Sequence, residues 1–215
     1  MNGNLKVNKF RKRKALDEQE QTPDNLEYII SGIDIESRRI EFRGEVNEVM
    51  SSTIIRALLK MSQKSHEPIE IYLSSPGGDV YEGLAIYDAI MECPCDIHII
   101  ASGKIMSAAF IIFLAGDIRI AAFHTTFMMH SVSYDPGNGI VKSHEVQVNE
   151  GKRINNVFLD IMAARTNRTK KFWYRTILNQ DKYLNLQDAV EVGIIKERIS
   201  NKKIIKKVVK KNVKK

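Results

Sequence analysis

Cysteine is scarce in this chain: two among 215 residues, Cys93 and Cys95, with Pro94 alone between them. Thiols that close in sequence are too tightly spaced for an ordinary disulfide, and two are too few for a structural zinc site. The expectation is a reduced, cytoplasmic chain with no metal centre. Long apolar runs are missing as well. The longest, Ala108 to Ala115, has eight residues, against the roughly 20 needed to cross a bilayer. No membrane segment is expected, nor a secretory signal, because no apolar stretch follows the basic N-terminus. A Gly-x-x-x-x-Gly-Lys-Ser/Thr phosphate loop is also absent, since Gly103-Lys104 lacks a glycine at the required place before it. The chain is therefore expected to carry no cofactor and not to hydrolyse ATP by itself.

The formal charge of +7 conceals two basic ends. Residues 202 to 215 hold eight lysines and residues 6 to 14 hold six basic side chains, both without an acid. Setting those fourteen charges aside leaves the body at −7. A nucleic-acid-binding fold would carry its positive charge on the body, so nucleic acid is not expected as a partner. The C-terminal run reads Lys-Lys-x-x, and a four-residue period drifts around a helix without making an apolar face. Self-repulsion favours a solvated tail. The chain divides into a flexible basic arm (1–25), one α/β domain (26–200) and a lysine-rich tail (201–215).

Within the domain, apolar periodicity alternates between strand and helix. Ile33 to Phe42 reads as a strand with a turn at Arg38-Arg39. Glu48 to Met61 reads as a helix with Val49, Met50, Ile54, Ile55, Leu58 and Leu59 at helical spacing. Ile69 to Leu73 is a strand, and Ser75-Pro76-Gly77-Gly78 a turn. Val80 to Met91 is a helix with Leu84, Tyr87, Ile90 and Met91 facing inward. Ile97 to Ala101 is a strand broken by Gly103, and Ser107 to Ala115 a helix apolar on every face, which predicts complete burial. Strands follow at Ile118–Ala122 and Phe127–Met129, then a turn within Tyr134 to Gly139. A long helix runs from Ser143 to Thr166 and a second from Thr169 to Leu178. Asn185 with Asp188 three residues on predicts a capped helix ending at Gly193. Strand and helix in alternation imply an α/β fold with crossover connections.

Chemistry gathers at three places. Ser107 opens the all-apolar helix, His130 closes a strand 23 positions later, and the Ser-Pro-Gly-Gly turn lies upstream. A serine hydroxyl becomes a nucleophile only beside a base, and the oxyanion that it makes needs donors. Free N–H groups at the helix start and a glycine without Cβ could supply them. The plainer alternatives are that Ser107 is only an N-cap and that His130 is a partly buried structural histidine. No second histidine or carboxylate is spaced for a metal, so no metal ligands are expected.

Together these segments resemble the Clp protease proteolytic subunit (ClpP) family of serine peptidases. The resemblance spans about Ile33 to Ile199. It is carried by Ile71-Tyr72-Leu73-Ser74-Ser75-Pro76-Gly77-Gly78, Gly83 to Asp88, Gly103 to Phe110, Met128-Met129-His130, Tyr183-Leu184, Ala189-Val190 and Gly193-Ile194-Ile195. It implies a ClpP/crotonase-like fold of repeated β-β-α units with a protruding handle helix, here Ser143 to Thr166. It also implies Ser107 as nucleophile, His130 as base, and Gly77, Gly78 and Ala108 as oxyanion-hole donors. Two departures are conservative: Ala109 stands where the family has glycine, and Ala108 where it has methionine. The third triad member is a larger one. Anchored on Asp181 to Leu184, the family's aspartate falls on Ile177, a shift of one residue gives Thr176, and a shift of two the other way gives Asn179. Asn179 is the candidate for orienting His130, with Asp181 a more distant carboxylate. The resemblance further implies an endopeptidase that hydrolyses unfolded polypeptides inside two stacked heptameric rings, fed by a Clp-type AAA+ unfoldase. Alternatives of the same fold are a noncatalytic ring subunit and a dedicated viral maturation protease.

Overall fold

The computed structural model of the chain describes residues 31–133, 140–178 and 180–195. The expected arm at 1–25, the tail at 201–215, the turn within 134–139 and Asn179 lie outside the described residues. Strand formation follows the two-residue alternation of the sequence. In β3 (Ile69–Ser75) every second residue, Ile69, Ile71, Leu73 and Ser75, is buried. Its neighbours are β1 (Ile33–Asp34), β2 (Arg39–Arg43), β4 (Ile97–Met106), β5 (Ile118–Ala121), β6 (Thr126–Met129) and β7 (Lys182–Leu184). They form one seven-stranded sheet in the order β1-β2-β3-β4-β6-β7, with β5 also paired to β4. The pairings from β2 through β6 are parallel, and the outer β1–β2 and β6–β7 pairings are antiparallel.

Gly103 does not break β4, contrary to the reading from sequence. The strand runs through it to Met106 and changes partner on the way. Residues 98–101 pair with β5, while Lys104, Ile105 and Met106 pair with β6. The register against β3 shifts between Leu73 and Ser75. Gly103 takes φ +66 at this bend, and a Cβ there would come within 3.1 Å of Ser74 Oγ. A residue with a side chain would be strained in that conformation.

The helices are α1 (Glu48–Lys64), α2 (Val80–Met91), α3 (Ala108–Ala115), α4 (Val141–Arg165), α5 (Lys170–Ile177) and α6 (Leu186–Glu191). The starts of α1, α2, α5 and α6 are capped as the side-chain chemistry predicts. Asn47 accepts from Met50 N–H, Asp79 from Tyr81 and Glu82 N–H, and Thr169 from Phe172 N–H. Asn185 and Asp188 form a reciprocal capping box. Some apolar residues expected to face inward do not: Val49, Leu59 and Met91 are exposed, while Gly83, Ile86 and Ile90 form the buried stripe of α2. On α2 the cause is close packing. A Cβ at Gly83 would lie 3.0 Å from Ala108 Cβ, so α2 meets α3 along its glycine rather than along its larger side chains.

All eight residues of α3 are buried. Its isoleucines and phenylalanines are mediocre helix formers, at up to about 0.7 kcal/mol each relative to alanine. Burial of each large side chain returns about 1.5–3 kcal/mol, so packing decides the conformation. Phe110 meets Phe127 and Trp173 edge-on at ring-centroid distances of 6.4 and 6.2 Å.

Two arginines close the other end of α3. Arg119 is wholly buried and donates to the carbonyls of Leu114, Arg165 and Gly193 at 3.0, 2.8 and 3.1 Å. Arg165 donates to the carbonyls of Leu114, Ala115 and Gly116 at 2.8, 2.9 and 3.0 Å. Burial, and then the charge of Arg165, push the Arg119 guanidinium down to about 10, so it remains a cation at neutral pH. Orphan carbonyls at a helix C-terminus are what a cation satisfies best. Replacing Arg119 with Met should therefore destabilise the fold by about 3 kcal/mol, through carbonyls left buried and unpaired. Urea denaturation checks this, and an unchanged midpoint would refute it.

Candidate active site

The exchange of partners along β4 delivers Ser107 and His130 to one place. Both strands run parallel in this stretch, Met106 lies opposite Met128, and the Ser107 N–H extends the pairing by donating to the Met128 carbonyl at 2.9 Å. One residue past the end of β6, the imidazole turns back. His130 Nε2 lies 2.8 Å from Ser107 Oγ. Ser107 does not behave as an N-cap: its side chain makes no capping hydrogen bond. Its backbone takes φ +52 and ψ −124, a region that costs a residue with Cβ about 1–3 kcal/mol. Strain here holds the hydroxyl off the helix end and toward the ring.

The Ser-Pro-Gly-Gly turn packs directly on this pair. A Cβ at Gly77 would lie 2.7 Å from both the Met106 carbonyl oxygen and Ser107 Cβ, and 3.1 Å from Ala108 N. At Gly78 it would lie 2.2 Å from the Val46 carbonyl oxygen. Both glycines have positive φ, +94 and +150. The Gly77 N–H is already engaged, donating to the buried Ser75 Oγ at 3.1 Å, and the Gly77 carbonyl accepts from Val46 N–H at 2.9 Å. The N–H groups of Gly78 and Ala108, by contrast, meet no acceptor among the described residues. Ala108 opens α3, whose dipole places positive potential at that end.

The sequence alternatives for the third position separate clearly. Ile177 is buried, and its carbonyl accepts from Ser131 Oγ at 3.1 Å. Thr176 donates its hydroxyl to the Phe172 carbonyl at 2.8 Å. It faces a cavity of about 420 Å³ that Arg168, Phe172, Trp173, Lys182 and Glu191 also line, away from Ser107 and His130. Asp181 is exposed, and Asn179 lies outside the described residues. Among the described residues, none bonds to His130 Nδ1. Sequence reasoning missed Asn155, whose Oδ1 accepts from the Val132 N–H at 2.7 Å. Its one signal was an asparagine pair, Asn155-Asn156, inside a helix where asparagine is a weak former.

Among the described residues no group of three or more His, Cys, Asp or Glu gathers, and no helix is long and apolar enough to cross a membrane.

A family model described as Clp protease matches residues 24–202. The ATP-dependent Clp protease proteolytic subunit 2 of Treponema denticola is 30% identical over 174 residues, covering 80% of this chain and 86% of that protein. The ATP-dependent Clp protease proteolytic subunit of Deinococcus radiodurans is 30% identical over 165 residues, covering 75% and 80%. Among solved structures, a ClpP1 mutant from Listeria monocytogenes shares the fold, with a TM-score of 0.72 at 24% identity over 83% of this chain and 98% of that one.

Two glycine substitutions test how tightly the turn is packed. Gly44 also has positive φ, +112, but nothing lies near a Cβ placed there. Gly44→Ala should cost about 1–2 kcal/mol from the backbone alone. Gly77→Ala adds overlap with backbone and with Ser107, so its urea midpoint should fall further. Equal midpoints for the two variants would show that the turn is not held against Ser107.

Proposed function

The chain belongs to the Clp protease family, and from that premise we propose that it is a serine-type endopeptidase in which Ser107 is the nucleophile and His130 the base. The observation that carries the reading is the 2.8 Å contact between Ser107 Oγ and His130 Nε2, next to two unengaged backbone N–H groups. Nε2 takes the hydroxyl proton as Oγ attacks the peptide carbonyl. The Gly78 and Ala108 N–H groups receive the oxyanion, each supplying about 2.7–4 kcal/mol in the transition state. Gly77, whose own N–H is held by Ser75, provides the close approach rather than a donor. Collapse of the tetrahedral intermediate expels the amine, protonated by the imidazolium, and water activated by the same base releases the acyl group. Asn179 is the candidate acceptor for Nδ1.

The family and the missing phosphate loop together support a division of labour. This chain would cut unfolded polypeptide in the cytoplasm, inside a chamber of two stacked heptameric rings. A separate Clp-type AAA+ unfoldase would spend the ATP and thread substrate. The handle helix α4 would join the rings.

One observation favours a second reading. No described carboxylate meets Nδ1, and Ile177 stands at the position aligned with the family's aspartate. In the serine protease template, loss of that carboxylate's charge costs about 10⁴ in turnover. A chain so impaired could serve as a noncatalytic ring subunit.

Labelling with a fluorophosphonate probe separates the two. The peptidase reading expects wild-type protein to label on Ser107, Ser107→Ala to stay blank, and His130→Ala to slow by at least about 10². A folded wild type that does not react supports the noncatalytic subunit. Substrate size tests the partner. Short unstructured peptides should be cleaved by the chain alone, and a stably folded protein only with a Clp-type ATPase and ATP. Equal rates of folded-protein degradation with and without the ATPase would rule out the partner.

A further inference from the structure

We infer that Asn155 is a positioning residue for His130, acting through the backbone that follows the histidine and assisted by Ser131. The inference rests on the peptidase reading only for its activity readout.

His130 lies beyond the end of β6, so no sheet pairing of its own fixes it. In a complete triad, an acceptor on Nδ1 sets the plane and tautomer of the ring. None of the described residues supplies that acceptor, and the ties that they do supply reach the ring through its main chain. Three hydrogen bonds bracket this main chain. Before the histidine, the Met128 carbonyl accepts from Ser107 N–H at 2.9 Å. After it, Ser131 Oγ donates to the Ile177 carbonyl at 3.1 Å, and Val132 N–H donates to Asn155 Oδ1 at 2.7 Å. The first ties the imidazole's strand to the nucleophile. The other two tie the outgoing chain to α5 and α4.

Asn155 is a firm anchor because its helix cannot roll. Ile154, Phe158 and Met162 beside it are buried in the core. An asparagine amide is short and planar, and here its oxygen faces an N–H that leaves the sheet and would otherwise lack an acceptor. A longer side chain could not hold the same loop at the same distance. Since Nε2 must stay within hydrogen-bond reach of Oγ, a shift of the loop by one ångström at Val132 is felt at Ser107.

The test uses the full chain with Asn155→Leu, which keeps the shape and loses the acceptor, and Asn155→Asp, which keeps an acceptor oxygen. Asn155→Ser, too short to reach, stands in if the leucine variant fails to fold. Two readouts are taken: the rate of fluorophosphonate labelling across pH, and the His130 ring resonances in NMR spectra, assigned with His130→Gln. Asn155→Leu or Asn155→Ser should lower the plateau labelling rate by about 30- to 100-fold, the scale of an ångström's misplacement, and should move or broaden the His130 resonances. Asn155→Asp should stay within about threefold of wild type by the same argument. A folded Asn155→Leu protein with wild-type labelling and unmoved ring resonances overturns the inference. So does an Asp variant as impaired as the Leu one. If wild-type protein does not label at all, the peptidase reading falls, and the ring resonances alone decide the role of Asn155.

Discussion

The contact between Ser107 and His130 depends on a strand that serves two neighbours in succession. β4 pairs with β5 over its first half and with β6 over its second. Without the bend at Gly103, the end of β4 would continue beside β5, and the serine would have no histidine next to it. With the bend, the last residues of β4 and β6 run side by side, and Ser107 and His130 follow just past the final pairing. A hydrogen bond of 2.8 Å between side chains is thus set by the register of two parallel strands. Backbone hydrogen bonds make that register stiff, which is what a proton transfer over a fixed distance requires.

Helix α3 joins this arrangement to the rest of the molecule through its two ends. Its first turn presents an N–H beside Ser107 that meets no acceptor among the described residues, and its last turn is held by the guanidinium groups of Arg119 and Arg165. Between them lie five large apolar side chains with no exposed face. The helix therefore cannot tilt or slide without opening the core or leaving charged groups unpaired. Both costs exceed what a surface contact could impose. The first turn of α3 is held rigidly by this anchoring, and Gly77 brings the opposing turn close against Ser107 and Ala108. The histidine side is built differently. It hangs beyond a strand end and is tied by single hydrogen bonds from α4 and α5, so it is the adjustable half of the site.

Much of this was legible beforehand, for reasons that can be located. The eight apolar residues of α3 could only be buried. Ile69 to Leu73 was legible as a strand, which the structure extends to Ser75, and Asn185 with Asp188 made the expected capping box. Ser107, His130 and the glycine turn stood out because chemistry restricts those residue types. The misreadings also have causes. Gly103 looked like a strand end because glycine usually interrupts pairing, whereas here it permits a bend within the strand. Val49, Leu59 and Met91 looked like core because their spacing is helical. For Met91 the cause is Gly83, which draws α2 so close to α3 that the buried face is narrower than the apolar one. Asn155 left almost no trace, since a side chain that accepts one backbone N–H from a distant loop has no periodicity.

Residue chemistry and local periodicity determined most of the strands and helices and which helix would be interior, and they marked Ser107, His130 and the Ser-Pro-Gly-Gly turn as the places where chemistry gathers. These are properties of a residue and its near neighbours, so they survive being read in one dimension. Three matters were decided only by tertiary structure: that the hydroxyl and imidazole meet, that the Gly77 N–H is taken by Ser75 while that of Gly78 meets no acceptor among the described residues, and that α4 and α5 hold the chain leaving His130. Each depends on groups brought together from elements far apart in the chain, and distance along a sequence carries no information about distance in space until the sheet register is set.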